Sequence, residues 1–176
     1  QDIWKLAYTR KNFVRELGED LTGFYVPWYS GGAGNMSVKY DAAKELQGFD
    51  ECFHGWGLED IEFEYRLYHH GCRFAFGHKS IAFHQLHPRR WEDASNSNQL
   101  NFARFCRKHQ SPVVNLFFHF RMRPGFSGAD LLEYNEIARR HMCGTLPDKT
   151  LQLAQREYAK AMSATTAENN LQGRAF

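Results

Sequence analysis

Hydrophobic side chains recur at helical spacing along much of the chain. The clearest stretch is residues 58–68, where apolar positions lie three or four apart and two carboxylates, Glu59 and Asp60, open the segment. Basic side chains fill its last turn and Gly71 follows, as is typical of a helix end. The pattern predicts a helix that begins at Glu59. Similar spacing predicts further helices at residues 3–17, 40–46, 98–108, 127–141 and 150–162.

Other stretches predict strands and irregular structure. Residues 24–29 are dense in aromatic and β-branched side chains and predict a strand, and short strands are expected at 35–38, 73–76 and 81–83. The apolar run 113–120 fits either a strand or a buried segment of another kind. Residues 88–98 are polar and predict a loop, and residues 164–176 predict a frayed polar tail.

Composition narrows the class of protein. The chain has 176 residues, 43% of them hydrophobic and 15% aromatic, which suffices for a buried core and excludes a disordered chain. Lysine and arginine number 22 against 20 acidic residues, so no strong net charge favours nucleic acid or an anionic membrane as a partner. No apolar stretch approaches the roughly 18 residues of a membrane span. Four cysteines without a C-x-x-C pair favour a reducing, cytoplasmic setting, with a secretory location such as the Golgi lumen as the alternative.

The strongest candidate chemistry lies in residues 55–60. A Gly-Trp-Gly sequence precedes Glu59 and Asp60, so that two carboxylates open a helix beside the aromatic side chain of Trp56. The helix N-terminus favours ionised carboxylates. An ionised aspartate next to an aromatic platform suits a general base for a sugar hydroxyl. The alternative is that both carboxylates only cap the helix.

Two further features invite a functional interpretation. His84 directly follows the predicted strand 81–83, and an imidazole there suits a divalent cation such as Mn²⁺, although a hydrogen-bonded loop histidine fits as well. The glycine-rich stretch 31–34 permits close approach of a phosphate or sugar to the backbone, or forms an ordinary turn. Trp28 lies within an apolar segment and is expected in the core.

Taken in order, these features resemble a known family. The matching motifs span about residues 24–105 and are Gly34-Asn35-Met36-Ser37, Gly48-Phe49-Asp50-Glu51, Trp56-Gly57-Leu58-Glu59-Asp60, Tyr65-Arg66-Leu67, Gly71-Cys72-Arg73-Phe74 and Phe83-His84-Gln85. They resemble the C-terminal half of the catalytic domain of A-type glycosyltransferases. The nearest groups are family 2 enzymes of the chondroitin-polymerase kind and β-1,4-galactosyltransferases.

The resemblance implies a fold and an activity. It implies an α/β fold in which residues 1–110 form the acceptor and metal side of a nucleotide-sugar transferase domain and residues 111–176 form a mainly helical extension. It further implies inverting transfer of a hexose or N-acetylhexosamine from a UDP-sugar to the hydroxyl of a carbohydrate or protein acceptor. The implied product class is polysaccharide.

The resemblance also implies roles for individual residues. Asp60 would be the catalytic base, while Glu59 and Trp56 would bind sugar. Gly34 and Asn35 would approach the donor. His84 would bind a Mn²⁺ or Mg²⁺ ion on the nucleotide diphosphate.

One departure from the family pattern shapes the prediction. The family's nucleotide-binding half precedes these motifs and carries a D-x-D sequence, which occurs nowhere in this chain. We therefore expect activity to need such an N-terminal half, in cis or as another chain. The alternatives are a catalytically inactive carbohydrate-binding or scaffold module of transferase shape, and a helical interaction domain centred on residues 113–162.

Overall fold

The computed structural model describes residues 18, 20–30, 32–77, 79–80, 82 and 91–172. Two short 3₁₀ turns, Pro27–Ser30 and Ala33–Asn35, come first. The helices are α1 (Tyr40–Glu45), α2 (Glu59–His69), α3 (Trp91–His109), α4 (Pro112–Asn115), α5 (Phe117–Arg121), α6 (Gly128–Met142) and α7 (Asp148–Gln172). Within these described segments, no helix has both the length and the apolar character required to cross a bilayer.

The strongly periodic helices are confirmed. Helix α2 begins at Glu59 as predicted, and α1 and α6 lie within a residue or two of their predicted bounds. A capping box fixes the start of α6. There the Ser127 N–H donates to Asp130 Oδ2 at 2.9 Å, and the Ser127 side chain accepts from the Asp130 N–H.

The polar segments are more helical than the sequence predicts. The loop predicted at 88–98 is wrong from Trp91 onward, because α3 begins there. Likewise α7 continues to Gln172, so the predicted tail is helical as far as that residue. In both helices one face is buried in the core, as at Ala94 of α3. Ala154 and Ala161 of α7, for example, are buried where α7 packs on α3.

The predicted strands are not observed in the described ranges. The strand predicted at residues 24–29 is wrong. A 3₁₀ helix begins at Pro27, and proline has no backbone N–H to donate to a neighbouring strand. Segment 73–76 forms only an isolated antiparallel bridge between Ala75 and Asp20. The run 113–120 is helical, in α4 and α5. Helix 3–17 and most of strand 81–83 lie outside the described residues. The α/β architecture is therefore not confirmed.

A single aromatic core holds these helices together. Trp28 is 1% exposed, and its ring lies 5.2 Å from Tyr65, 6.0 Å from Phe105, 5.9 Å from Phe117 and 6.2 Å from Tyr134, measured between centroids. The expectation that Trp28 is a core residue is confirmed. Residues before and after position 110 contribute side chains to this core. The predicted domain boundary near residue 110 stays a prediction.

Candidate active site

The segment Trp56-Gly57-Leu58-Glu59-Asp60, called the acidic box below, leads into the start of α2. Leu58 precedes the helix with a left-handed backbone (φ 72°) and is only 4% exposed, so it anchors the turn. Trp56, two residues earlier, is 45% exposed. The order of these residues therefore places an accessible aromatic ring just before two carboxylates.

The two carboxylates of the box differ in their surroundings. Asp60 Oδ1 accepts the N–H of Ile61 at 2.8 Å, which satisfies one donor of the first helical turn. The N-cap residue is Leu58, and it makes no side-chain cap hydrogen bond, so the Asp60 contact lies inside the first turn and is not a cap. Glu59 Oε2 is buried and has no hydrogen-bond partner among the described residues.

The predicted donor-side residues are connected to α2 through Glu64. Gly34 and Asn35 are exposed in the 3₁₀ turn, and Asn35 Nδ2 donates to the Ser80 carbonyl at 3.0 Å. The N–H of Gly32, just before that turn, donates to Oε1 of the buried Glu64 at 2.7 Å. The structure therefore joins the glycine turn to the helix that carries the acidic box.

The Gly48–Asp50 turn is held by a partly buried charge cluster around Glu62 that the sequence did not predict. Arg66 donates to the carbonyls of Leu46 and Gly48, each at 2.6 Å, and to the fully buried Glu62 at 2.9 Å. Lys108 bridges the carboxylates of Glu62 and Asp50. A charged network of this kind fixes the turn against α2 and α3.

The cluster also sets the ionisation of its carboxylates. The Lys108 ammonium, helped by the N–H of Cys52, lowers the pKa of Asp50 to about 2. Burial alone would raise the pKa of Glu62, but hydrogen bonds from His109 and Lys108 together with the Arg66 charge outweigh it, so the pKa falls. Both groups are therefore ionised at neutral pH. The signal in the sequence was the helical pair Glu62 and Arg66, which are four residues apart.

Helix α3 supplies a second set of supports that the sequence missed, because residues 91–98 were predicted as a loop. Ser97 and Asn101 hydrogen-bond to the backbone of the 54–57 loop that leads into the acidic box. Spaced four apart, they face the same side of α3. The box is thus held from the core by Leu58 and from α3 by polar side chains.

The predicted metal ligand, His84, lies outside the described residues. Among the residues that the structure does describe, no group of three or more His, Cys, Asp or Glu side chains is placed to hold a metal ion. The described residues therefore do not by themselves form a metal centre.

Comparison with known proteins finds similarity to glycosyltransferases. Residues 16–88 match the family described as the N-terminal domain of galactosyltransferase. The chain is 36% identical to validoxylamine A glucosyltransferase of Streptomyces hygroscopicus over 111 residues, covering 63% of this chain and 26% of that protein. It is 31% identical to an uncharacterized glycosyltransferase of Bacillus subtilis, covering 72% of this chain and 33% of that one.

A further relative is a chondroitin synthase. Chondroitin synthase of Pasteurella multocida is 32% identical over 85 residues, covering 48% of this chain and 8% of that protein. The chain spans about a quarter to a third of the length of the first curated relatives it matches. No solved structure matches it significantly.

Proposed function

Because this chain carries a glycosyltransferase family 2-like domain, we propose that it forms the acceptor side of an inverting glycosyltransferase. The donor is a UDP-sugar, and the transferred group is a hexose or an N-acetylhexosamine. The observation that carries the proposal is the acidic box: Asp60 lies in the first turn of α2, four residues after the accessible Trp56, within the segment that matches the family.

The proposed mechanism gives each residue of the box a task. Asp60 removes the proton from the acceptor hydroxyl while the acceptor oxygen forms a bond to the anomeric carbon of the donor. The bond from that carbon to the diphosphate breaks, and UDP leaves with the bonding electrons. The attack occurs opposite the leaving group, so the configuration inverts.

Binding positions the two sugars for this step. Trp56 offers its ring face to sugar C–H groups, and Glu59 accepts hydrogen bonds from sugar hydroxyls. Gly34 and Asn35, tied to α2 through Gly32 and Glu64, approach the donor. Fixing both reactants converts an encounter in solution into a step within one complex.

The nucleotide requires groups from elsewhere. We propose that an N-terminal nucleotide-binding half, in cis or as another chain, binds UDP and completes the α/β sheet of an A-type domain. We also propose that His84 contributes one ligand to a Mn²⁺ or Mg²⁺ ion, whose charge would offset that of the diphosphate, with the other ligands on that half.

The test compares residues 1–176 alone with the same chain supplied with its nucleotide-binding half. Each is incubated with UDP-glucose, UDP-galactose, UDP-GlcNAc or UDP-GalNAc, an oligosaccharide acceptor and Mn²⁺, and both the released UDP and the product anomer are measured. We expect transfer with inversion only in the supplemented sample. Oligosaccharide binding without UDP release from any donor would favour the inactive carbohydrate-binding module instead.

A further inference from the structure

Asn101 is fully buried on α3 and bonds to the loop before the acidic box. Its Nδ2 donates to the carbonyl oxygen of His54 at 3.0 Å and to that of Gly57 at 2.7 Å. The two carbonyls lie at opposite ends of the Gly-Trp-Gly sequence. One side-chain amide therefore fixes both ends of the segment that carries Trp56.

The orientation of this amide is set by a neighbour on the same helix. Arg104 Nη1 donates to Asn101 Oδ1 at 2.8 Å. A guanidinium can only donate, so the carbonyl side of the amide faces Arg104 and both N–H groups face the loop. The contact with two loop carbonyls is thus built into α3.

Ser97, one turn earlier on α3, holds the centre of the same loop. Its Oγ accepts the N–H of Trp56 at 3.0 Å and lies 3.2 Å from the Trp56 carbonyl oxygen. Ser97 therefore bonds to the backbone of Trp56 itself, and Asn101 bonds to the backbone before and after it.

The glycines that flank Trp56 allow the loop to lie directly on α3. Both have left-handed backbones, with φ 75° at Gly55 and 102° at Gly57. A Cβ atom at Gly55 would lie 2.6 Å from Cβ of Ser97, and one at Gly57 would lie 2.6 Å from Oδ1 of Asn98. The Gly-Trp-Gly sequence is therefore explained by close packing on α3 as well as by turn geometry.

We propose that Asn101 is a positioning residue of the transfer site. By holding the carbonyls of His54 and Gly57, it keeps the Trp56 ring and the Asp60 carboxylate, three residues beyond Gly57, in one relative geometry. The assignment rests on the proposed function, and it places the source of the site's rigidity in α3. A displacement of about 1 Å at a reacting group can lower turnover by roughly a hundredfold.

The first test measures the loop in the 176-residue chain, without any substrate. Asn101→Ala removes both donors. Asn101→Asp keeps the size of the side chain and its contact with Arg104, but an ionised carboxylate cannot donate to either carbonyl. Asn115→Ala is the matched control, since Asn115 is a buried asparagine on α4 and bonds to no residue of the 54–57 loop.

Amide hydrogen exchange reports the outcome. We expect exchange in residues 54–58 to be about tenfold faster in both Asn101 variants, as lost hydrogen bonds of this kind allow, with α6 unchanged. The Asn115 control should leave that segment unaltered. Unaltered exchange in Asn101→Asp would overturn the assignment even if Asn101→Ala failed to fold.

The second test uses the chain supplied with its nucleotide-binding half. We expect kcat to fall about ten- to a hundredfold in Asn101→Asp with little change in the KM for the donor, while Asn115→Ala keeps both. A faster-exchanging loop with normal kcat would refute the positioning role and leave the proposed function intact. Absence of transfer by the unsubstituted protein would refute the proposed function, and the assignment with it.

Discussion

The backbone N–H of Gly32 donates to Oε1 of Glu64 at 2.7 Å, across 32 residues of sequence. Glu64 is only 1% exposed, so the bond lies in an environment of low dielectric where hydrogen bonds are strong. It fixes the glycine turn relative to α2. The proposed donor-side and acceptor-side residues therefore share one rigid support, and substitutions can test them separately.

Asp60→Asn should abolish most transfer. The amide keeps the shape of the side chain and its hydrogen bond to Ile61, but it cannot take a proton from the acceptor. We expect kcat of the complete enzyme to fall by about a hundredfold or more, with thermal stability nearly unchanged. The matched control is Asp41→Asn, which alters the second residue of α1 in the same way. Near-normal kcat in Asp60→Asn would remove Asp60 from the mechanism.

Glu62→Ala should strongly destabilise the fold. Glu62 is fully buried against Arg66, Lys108 and His109, and its removal leaves these donors without their shared acceptor. Removing the charged acceptor of such hydrogen bonds typically costs about 1.5–3 kcal/mol of unfolding free energy. Urea denaturation measures the loss. Glu136→Ala, which removes a carboxylate from a surface pair on α6, should have a much smaller effect, and equal losses would contradict the importance of burial.

Asp50 should make the free energy of unfolding depend on pH in the acidic range. Its pKa of about 2 in the folded chain lies below its ordinary value of 3.8, so the unfolded chain binds the proton more readily. The contribution is fully present above about pH 4 and is lost as the pH falls through 2. Asp50→Asn should therefore flatten the fall in urea midpoint between pH 4 and pH 2, relative to the unsubstituted chain. An unchanged slope in Asp50→Asn would show that Lys108 does not stabilise the carboxylate.

Gly57→Ala should destabilise the chain more than Gly23→Ala. Both glycines have positive φ, which costs an alanine about 1 kcal/mol, but only at Gly57 does the new Cβ meet a neighbour, Asn98 Oδ1. Thermal unfolding of the two variants isolates that contact. Asn98→Ala in the Gly57→Ala background should recover the difference. Lack of recovery would mean that Asn98 does not set the space at Gly57.

A chain that ends after Gln110 should fail to fold cooperatively. Trp28 would lose the rings of Phe117 and Tyr134, and the core would open on that side. We expect red-shifted tryptophan emission and no sharp thermal transition. The full chain is the control. A cooperative transition in the shortened chain would instead support residue 110 as a structural domain boundary.

Local signals predicted the helices well and the strands poorly. The bounds of α2 and α6 follow from carboxylates and a capping serine at their starts, which act within one turn. Residues 24–29 have the composition of a strand, yet their aromatic side chains serve the core and Pro27 bends the backbone. A high content of aromatic and β-branched residues indicates that a segment is buried, but it does not distinguish a strand from a packed turn.

The acidic box was visible in the sequence, whereas its supports were not. Glu59 and Asp60 lie next to each other, but the bonds from Asn101 to His54 and Gly57 join residues more than forty positions apart. Nothing local marks Asn101 as a buried residue, since asparagine is usually exposed. The supports become visible only when α3 is packed on the loop.

The arrangement of rings around Trp28 also governs the order of events during synthesis. Its partners extend to Tyr134, about 106 positions later, so the aromatic core is incomplete until that residue leaves the ribosome. At about 5–20 residues per second this interval lasts roughly 5–20 s. Throughout that time the Trp28 ring of a nascent chain would lack the Tyr134 ring that packs against it in the folded protein.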